Sequence, residues 1–127
     1  MIHPDTELRK VNETIGCGVF ATQPIPKGTI VYVKDPLEIE IAPDRFEQLD
    51  PAYQAIINWF SYIDDQGVRI VSWDIAKYVN HSCAANSIST GYGFEIATRD
   101  IAAGEQITDE YGIFNLPTPL DCCCGSA

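Results

Sequence analysis

The sequence has few basic residues, and that shortage excludes several classes of function. Its 127 residues contain 8 lysines and arginines against 18 acidic residues, which gives a formal net charge of −10. Direct binding to nucleic acid is not expected, because the phosphate backbone requires a basic surface. The natural complement of this chain is a basic protein partner, although an acidic surface can also serve solubility alone.

Long hydrophobic runs are also missing. No apolar stretch approaches the roughly 20 residues of a membrane-spanning helix. The opening residues, MIHPDTELRK, lack the apolar core of a secretory signal. Apolar residues nevertheless make up 46% of the chain, enough for a single domain with its own core. We therefore expect a soluble, cytoplasmic protein without a membrane partner.

The five cysteines do not suit a disulfide framework. Their number is odd, and three of them are adjacent, at positions 122 to 124. Adjacent cysteines pair only with strain. In a reducing compartment such a cluster more often binds a metal.

The residue patterns along the chain predict a mainly β fold with one helical insert. Residues 15–41 carry β-branched and aromatic residues with partial alternation, interrupted by the turn sequence QPIPKGT. Residues 44–60 favour helix, because Asp50 can cap, Pro51 suits the first helical position, and apolar residues recur at helical spacing from Tyr53 to Phe60. The stretch SYIDDQGVRIVS predicts a hairpin. Residues 91–112 predict two further short strands joined by a turn near Gly104.

One stretch, KYVNHSCAAN at residues 77–86, concentrates residues that can carry chemistry. Taken alone, it fits three structures: a cysteine nucleophile with a histidine base, part of a metal site, or a polar turn that holds a ligand. The nucleophile hypothesis rests on His81 and Cys83, which share a face of a strand, but no third orienting residue is evident.

Three blocks of the sequence resemble the SET domain, the β-rich fold of protein-lysine methyltransferases. GCGVFATQPIPKGTIV (16–31) is similar to the family's amino-terminal block, YVNHSCAANS (78–87) to its F-x-N-H-S-C-x-x-N block, and GEQITDEYG (104–112) to its G-E-E-L-T-x-D-Y block. The resemblance implies a SET (β-clip) fold of several short sheets over residues 1–116, with the family's variable insert near 44–60. Residues 117–127 resemble a partial post-SET segment.

The resemblance also implies a reaction and its residues. The family transfers a methyl group from S-adenosylmethionine to a lysine amine. The expected cofactor-binding residues are Gly16, Cys17, Gly18, Asn80 and His81. Tyr111 is the expected catalytic tyrosine, and Tyr62 and Tyr78 are expected to line the substrate channel. An aromatic residue usually lies two positions before the tyrosine, but here that residue is Asp109. A buried, unpaired carboxylate would be costly, which predicts that Asp109 faces solvent or pairs with a base.

A zinc site is implied by the same resemblance, with Cys83, Cys122 and Cys124 as ligands. The family's last tail cysteine has no counterpart, so the predicted site is one ligand short of tetrahedral. Cys17 is an alternative source of that ligand.

The predicted substrate is a lysine in a basic, histone-like protein. The alternative is a SET-fold binding module without turnover that recognises a basic protein tail. The short chain resembles the minimal SET proteins of bacteria and viruses, so we expect a cytoplasmic protein, or a nuclear one if the substrate is histone, acting as a monomer or homodimer.

Overall fold

The computed structural model describes residues 1–111 and Cys122. In this part of the chain the strands are short and the helices few. The strands are β1 Thr6–Asn12, β2 Gly16–Ala21, β3 Ile30–Val33, β4 Ile39–Ile41, β5 Ser61–Ile63, β6 Arg69–Val71, β7 Asn80–His81, β8 Ser87–Ser89, β9 Phe94–Ala97 and β10 Gln106–Asp109. The helices are α1 Pro43–Glu47, α2 Pro51–Phe60 and a 3-10 helix, Ile75–Tyr78. The predicted mainly β class is confirmed.

These strands form three small sheets. The first has the order β1-β2-β10-β7, the second β3-β9-β8 and the third β4-β6-β5. The pairings are antiparallel except for β7 with β10, which run parallel. The insert belongs to the third sheet: α1 and α2 connect its strands β4 and β5. The predicted hairpin at residues 61–72 is confirmed as β5 and β6.

A single apolar core joins the first two sheets. It is formed by side chains that are at most 8% exposed: Ile2, Val19, Ala21, Ile25, Val31, Tyr32, Ala97, Ile101 and Ile107. The 3-10 helix packs against this core through Ile75, Ala76 and Tyr78. These contacts therefore fix the segment that leads into β7 against the apolar core.

Helix α2 forms where the sequence predicts it, but its apolar face is only partly covered. The Asp50 side chain accepts a hydrogen bond from the Ala52 amide at 2.9 Å, as expected of a capping residue. However, Tyr53 is 64% exposed and Ile56 is 59% exposed. Ile57 and Phe60 are partly covered, and Phe60 packs edge-on against Tyr78. No helix in the described residues is long and apolar enough to cross a membrane.

Strand β1 is absent from the sequence prediction. Its sequence, TELRKVN, has three charged residues among seven and no clear alternation. It forms because it is an edge strand, paired with β2 from Thr6–Ala21 to Asn12–Gly16, so its polar side chains stay in solvent.

Candidate functional site

Two distant segments of the sequence meet at the parallel pairing of β7 with β10. Thr108 lies opposite Asn80, and Asp109 lies opposite His81. Tyr111 follows β10 after one residue. The pairing therefore brings the tyrosine and the Asn-His pair to the same place, as the resemblance implies.

Tyr111 is held at both its backbone and its side chain. Its amide nitrogen donates to Nδ1 of His81 at 3.1 Å, and its hydroxyl donates to the carbonyl oxygen of Val79. The rings of Tyr111 and His81 lie 5.4 Å apart at 44°. Burial raises the pKa of the Tyr111 hydroxyl, and the nearby carboxyl groups of Asp109 and Glu95 raise it further. The hydroxyl is therefore protonated at neutral pH.

Asn80 connects this pair to the glycine-containing strand β2. Its side-chain nitrogen donates to the carbonyl oxygen of Cys17 at 2.9 Å and to Oε1 of Gln106 at 3.0 Å. Gly18 lies directly beneath these groups, so that a Cβ there would come within 2.9 Å of Asn80 Nδ2 and overlap the Gln106 side chain. Gly16 has a φ of 83°, a conformation that favours glycine. The predicted cofactor residues on β2 and β7 are thus direct neighbours.

The two tyrosines predicted to line the channel occupy different environments. Tyr62 lies on β5, where its hydroxyl is hydrogen-bonded to that of Tyr32, and burial raises its pKa. Tyr32 in turn donates to Oε1 of Glu38 at 2.7 Å. Tyr78 instead packs against Phe60 and the apolar core. Tyr62 therefore belongs to a polar network, and Tyr78 helps to anchor helix α2.

The expectation for Asp109 is wrong. The residue is 2% exposed, and its side chain is hydrogen-bonded to the carboxyl group of Glu95 rather than to a base. Its Oδ1 also accepts from the Glu110 amide at 2.8 Å. Burial raises the pKa of both carboxyl groups, and each would repel a charge on the other. A proton shared between the two carboxyl groups removes one of the two negative charges and so lowers the cost of burying the pair.

Two cysteine sulfur atoms lie close to the His81 ring. The Sγ atoms of Cys83 and Cys122 are 3.6 Å apart, and Nε2 of His81 is 3.2 Å from Cys83 Sγ. All three ligand atoms lie within 4.8 Å of one another. Cys124, the third predicted cysteine ligand, lies outside the described residues. Cys17 is not part of this group among the residues that the structure describes.

Comparison with known families accounts for this arrangement. A sequence model of the SET domain matches residues 16–112. This chain belongs to the SET-domain family. The match includes both strands of the parallel pairing, the glycine strand and Tyr111.

Curated relatives carry the same domain in much longer proteins. The chain is 32% identical over 96% of its length to a variant-silencing SET domain-containing protein of Plasmodium falciparum. It is 33% identical over 87% of its length to the histone H3-lysine(4) N-trimethyltransferase ATX1 of Arabidopsis thaliana, and 27% identical over 86% to an H3 lysine-4 specific histone-lysine N-methyltransferase of Schizosaccharomyces pombe. It spans only 5%, 11% and 13% of those proteins, respectively.

Two side chains of this SET domain were not predicted from the sequence. Gln106 holds the Asn80 amide, and Glu95 shares the hydrogen bond with Asp109. His81 was expected at the cofactor, and its ring also joins the cysteine cluster, because residues at i and i+2 of a strand share a face. Glu95 comes from the second sheet, and no sequence periodicity connects it with Asp109.

Proposed function

We propose that this chain is an S-adenosylmethionine-dependent protein-lysine methyltransferase. The observation that carries the proposal is the parallel pairing of β7 with β10, which brings Asn80, His81 and Tyr111 beside the glycine strand. Family membership and relatives named for histone-lysine methylation support the same activity.

The cofactor would lie against β2 and β7. When bound, S-adenosylmethionine supplies a methyl group on a positively charged sulfonium. Asn80 uses its amide hydrogens on Cys17 and Gln106, which suits its Oδ1 to accept from the ammonium of an amino-acid ligand. Gly16 keeps the neighbouring backbone open, because nothing lies within 4 Å of a Cβ built there, whereas Gly18 makes room for the Asn80 and Gln106 side chains. The donor and acceptor chemistry of these residues therefore fits the cofactor.

Tyr111 would position the substrate amine rather than act as a base. Its raised pKa keeps the hydroxyl protonated, and its proton is donated to Val79. The hydroxyl oxygen can therefore accept a hydrogen bond from the amine and stabilise positive charge as it develops there. Holding the amine in line at near-attack distance is worth several kcal/mol.

The substrate we propose is a lysine in a basic, histone-like tail. Residues 35–65, which include β4, both α-helices and β5, contain eight acidic residues and one arginine. This charge complements a tail rich in lysine and arginine. The relatives' names point to histone H3 in those proteins.

A methyl-transfer assay with radiolabelled cofactor, histones and a basic protein extract tests the proposal. We expect labelling by the wild type and a loss of at least about 100-fold in Tyr111→Phe, the scale of losing one group that stabilises transition-state charge. Tyr92→Phe is the matched control, because it removes the same hydroxyl from a tyrosine that is 87% exposed. Equal labelling by the two variants would remove Tyr111 from the reaction.

The buried Asp109 motivates a second candidate function. A carboxyl group where the family usually has an aromatic side chain suits a SET-fold module that binds a basic tail without methyl transfer. Calorimetry distinguishes the two. Heat from a histone peptide, without heat from the cofactor and without labelling, would favour the binding module.

A further inference from the structure

We propose that the exposed face of helix α2 is a docking site for the folded body of the basic protein whose tail enters the candidate site. The face is formed by Tyr53, Ile56 and Trp59, and exposed acidic residues precede and follow it along the chain. That this protein is a methyl-transfer substrate rests on the proposed function, whereas the docking itself is measured without the cofactor.

Helix α2 presents apolar side chains to solvent where a surface helix normally presents charged ones. Its sequence, PAYQAIINWF, contains no charged residue. The partly covered residues Gln54, Ile57 and Phe60 recur at every third position and so share one side of the helix. Ile56 and Trp59 lie on the other side, and Trp59 is 76% exposed. Adjoining apolar side chains of this size on a surface mark an interaction site.

The face is too small and too acidic at its ends to bind a second copy of this chain. Tyr53, Ile56 and Trp59 together expose on the order of 400 Å² of apolar surface, since a covered aromatic side chain buries roughly 150–250 Å². A stable interface needs about 800 Å² from each partner, so neighbouring polar residues have to contribute. In a symmetric dimer the same acidic residues would meet across the interface and repel one another.

The charge near the face favours a basic occupant. Exposed acidic residues lie before and after α2 in the chain: Asp44, Glu47, Asp50 and Asp65. Residues 35–65 contain eight acidic residues against one basic residue, Arg45. A partner that carries lysine and arginine around an apolar anchor would match both parts of this surface, because the anchor would cover the apolar face and the cations would pair with the acids.

The covered side of the helix connects the face with the candidate site. Phe60 packs edge-on against Tyr78, with 5.4 Å between the ring centroids. Tyr78 ends the 3-10 helix two residues before Asn80. A protein docked on α2 would therefore lie beside the segment that carries the candidate site, which favours the protein whose tail enters that site over an unrelated partner.

Calorimetry without cofactor tests the docking, with a histone H3–H4 tetramer and the isolated H3 tail peptide as the two probes. We expect Trp59→Ala to weaken binding of the tetramer by at least about 10-fold, the scale of truncating an aromatic anchor at a protein interface, and to leave the affinity for the tail peptide unchanged. Tyr92→Ala is the matched control, because it truncates an exposed aromatic side chain between β8 and β9. It should bind both probes as the wild type does.

Neutralising the acidic residues tests the charge separately from the apolar anchor. The double variant Glu47→Gln, Asp65→Asn should bind the tetramer more slowly and with a weaker dependence on salt concentration, because long-range attraction mainly sets the association rate. The control is Asp5→Asn, Glu13→Gln, which makes the same change in net charge at the two ends of β1. It should slow association less.

Fluorine-19 spectra keep the outcome clear if a variant folds poorly. The chain has two tryptophans, Trp59 and Trp73, so labelling with 5-fluorotryptophan should give two signals, which Trp73→Phe assigns. Adding the tetramer should shift the Trp59 signal more than the Trp73 signal. In the free chain, the Trp59 signal should respond to solvent isotope as an exposed indole does, and should not change with protein concentration.

Each alternative result overturns a different claim. Equal affinity of Trp59→Ala and Tyr92→Ala for the tetramer would exclude the docking face, and methyl labelling by the wild type would leave the proposed function standing. Trp59-dependent binding without labelling would uphold the docking face and overturn methyl transfer. A Trp59 signal that changes with protein concentration would assign the face to a second copy, and one shielded from solvent in the free chain would assign it to another segment of the same chain. Either would overturn the docking proposal.

Discussion

At the scale of single residues, the most unusual feature is a pair of carboxyl groups that share a buried hydrogen bond. Glu95 and Asp109 come from different sheets and lie close enough to Tyr111 to raise its pKa. A proton is shared because two adjacent negative charges in a dry environment cannot both be stabilised. The contribution of this pair to the free energy of unfolding should therefore decrease, rather than increase, as pH rises.

The contribution of this pair to folding stability should fall as pH rises above about 4, the usual pKa of free carboxyl groups. The folded-state pKa values of Glu95 and Asp109 are raised, so the folded pair binds more protons than the same groups in the unfolded chain, and its contribution is lost as pH rises through the folded-state values. Asp109→Asn removes one of the two acids while keeping the oxygen that accepts from Glu110. We expect it to raise the free energy of unfolding at pH 8 by at least about 1 kcal/mol, since one pKa unit is worth about 1.4 kcal/mol.

Urea denaturation from pH 5 to pH 8 measures this effect. The gain in Asp109→Asn should grow with pH. Glu105 provides an internal reference, because Arg99 lowers its pKa to about 2 and its stabilising contribution is lost only as pH falls below about 4. A variant that is less stable than the wild type at pH 8 would contradict a shared proton.

Gly18 is the residue whose size matters most for the site. A Cβ at this position would overlap Gln106 and press on the Asn80 amide. We expect Gly18→Ala to destabilise the fold by roughly 1–3 kcal/mol, as overpacking does, and to abolish cofactor binding by displacing Asn80. Calorimetry and thermal melts measure the two effects.

Gly28→Ala separates those effects. Its φ of 83° makes alanine strained there, but nothing lies within 4 Å of the added Cβ, so the added methyl group displaces no side chain. It should therefore lose stability and keep its cofactor affinity. Normal affinity in Gly18→Ala would mean that the cofactor does not depend on this arrangement.

At the scale of elements, local patterns predicted local structures. The Asp50 cap and helical spacing predicted α2, and the β5–β6 hairpin followed from its turn residues. Burial was harder to predict, because the spacing that identified α2 also implied a covered face, whereas Tyr53 and Ile56 are exposed. Periodicity specifies which residues share a face and leaves open what lies against it.

The parallel pairing of β7 with β10 could not be derived from periodicity at all. β7 is two residues long, and its two partner residues on β10 lie 28 positions further along the chain. That contact was predicted only from the resemblance of the two blocks to the SET family. The contacts of Glu95 and Gln106 were not predicted, because they form between side chains of different strands.

At the scale of the whole molecule, the acidic charge and the candidate site both suit the proposed methyl transfer to a basic protein. Residues 35–65, which include the insert, carry eight of the 18 acidic residues, and the described core anchors the strand pairing that holds Tyr111. A basic substrate would be attracted to the molecule as a whole before any contact specifies its lysine.

A ligand-binding map by amide NMR measures whether three segments of the chain converge on one cofactor site. Adding S-adenosylmethionine to the reduced, isotope-labelled chain should shift the amides of Cys17, Asn80 and Tyr111 together, with one common dissociation constant. Shifts confined to another face of the protein, or no shifts at millimolar cofactor, would contradict the account.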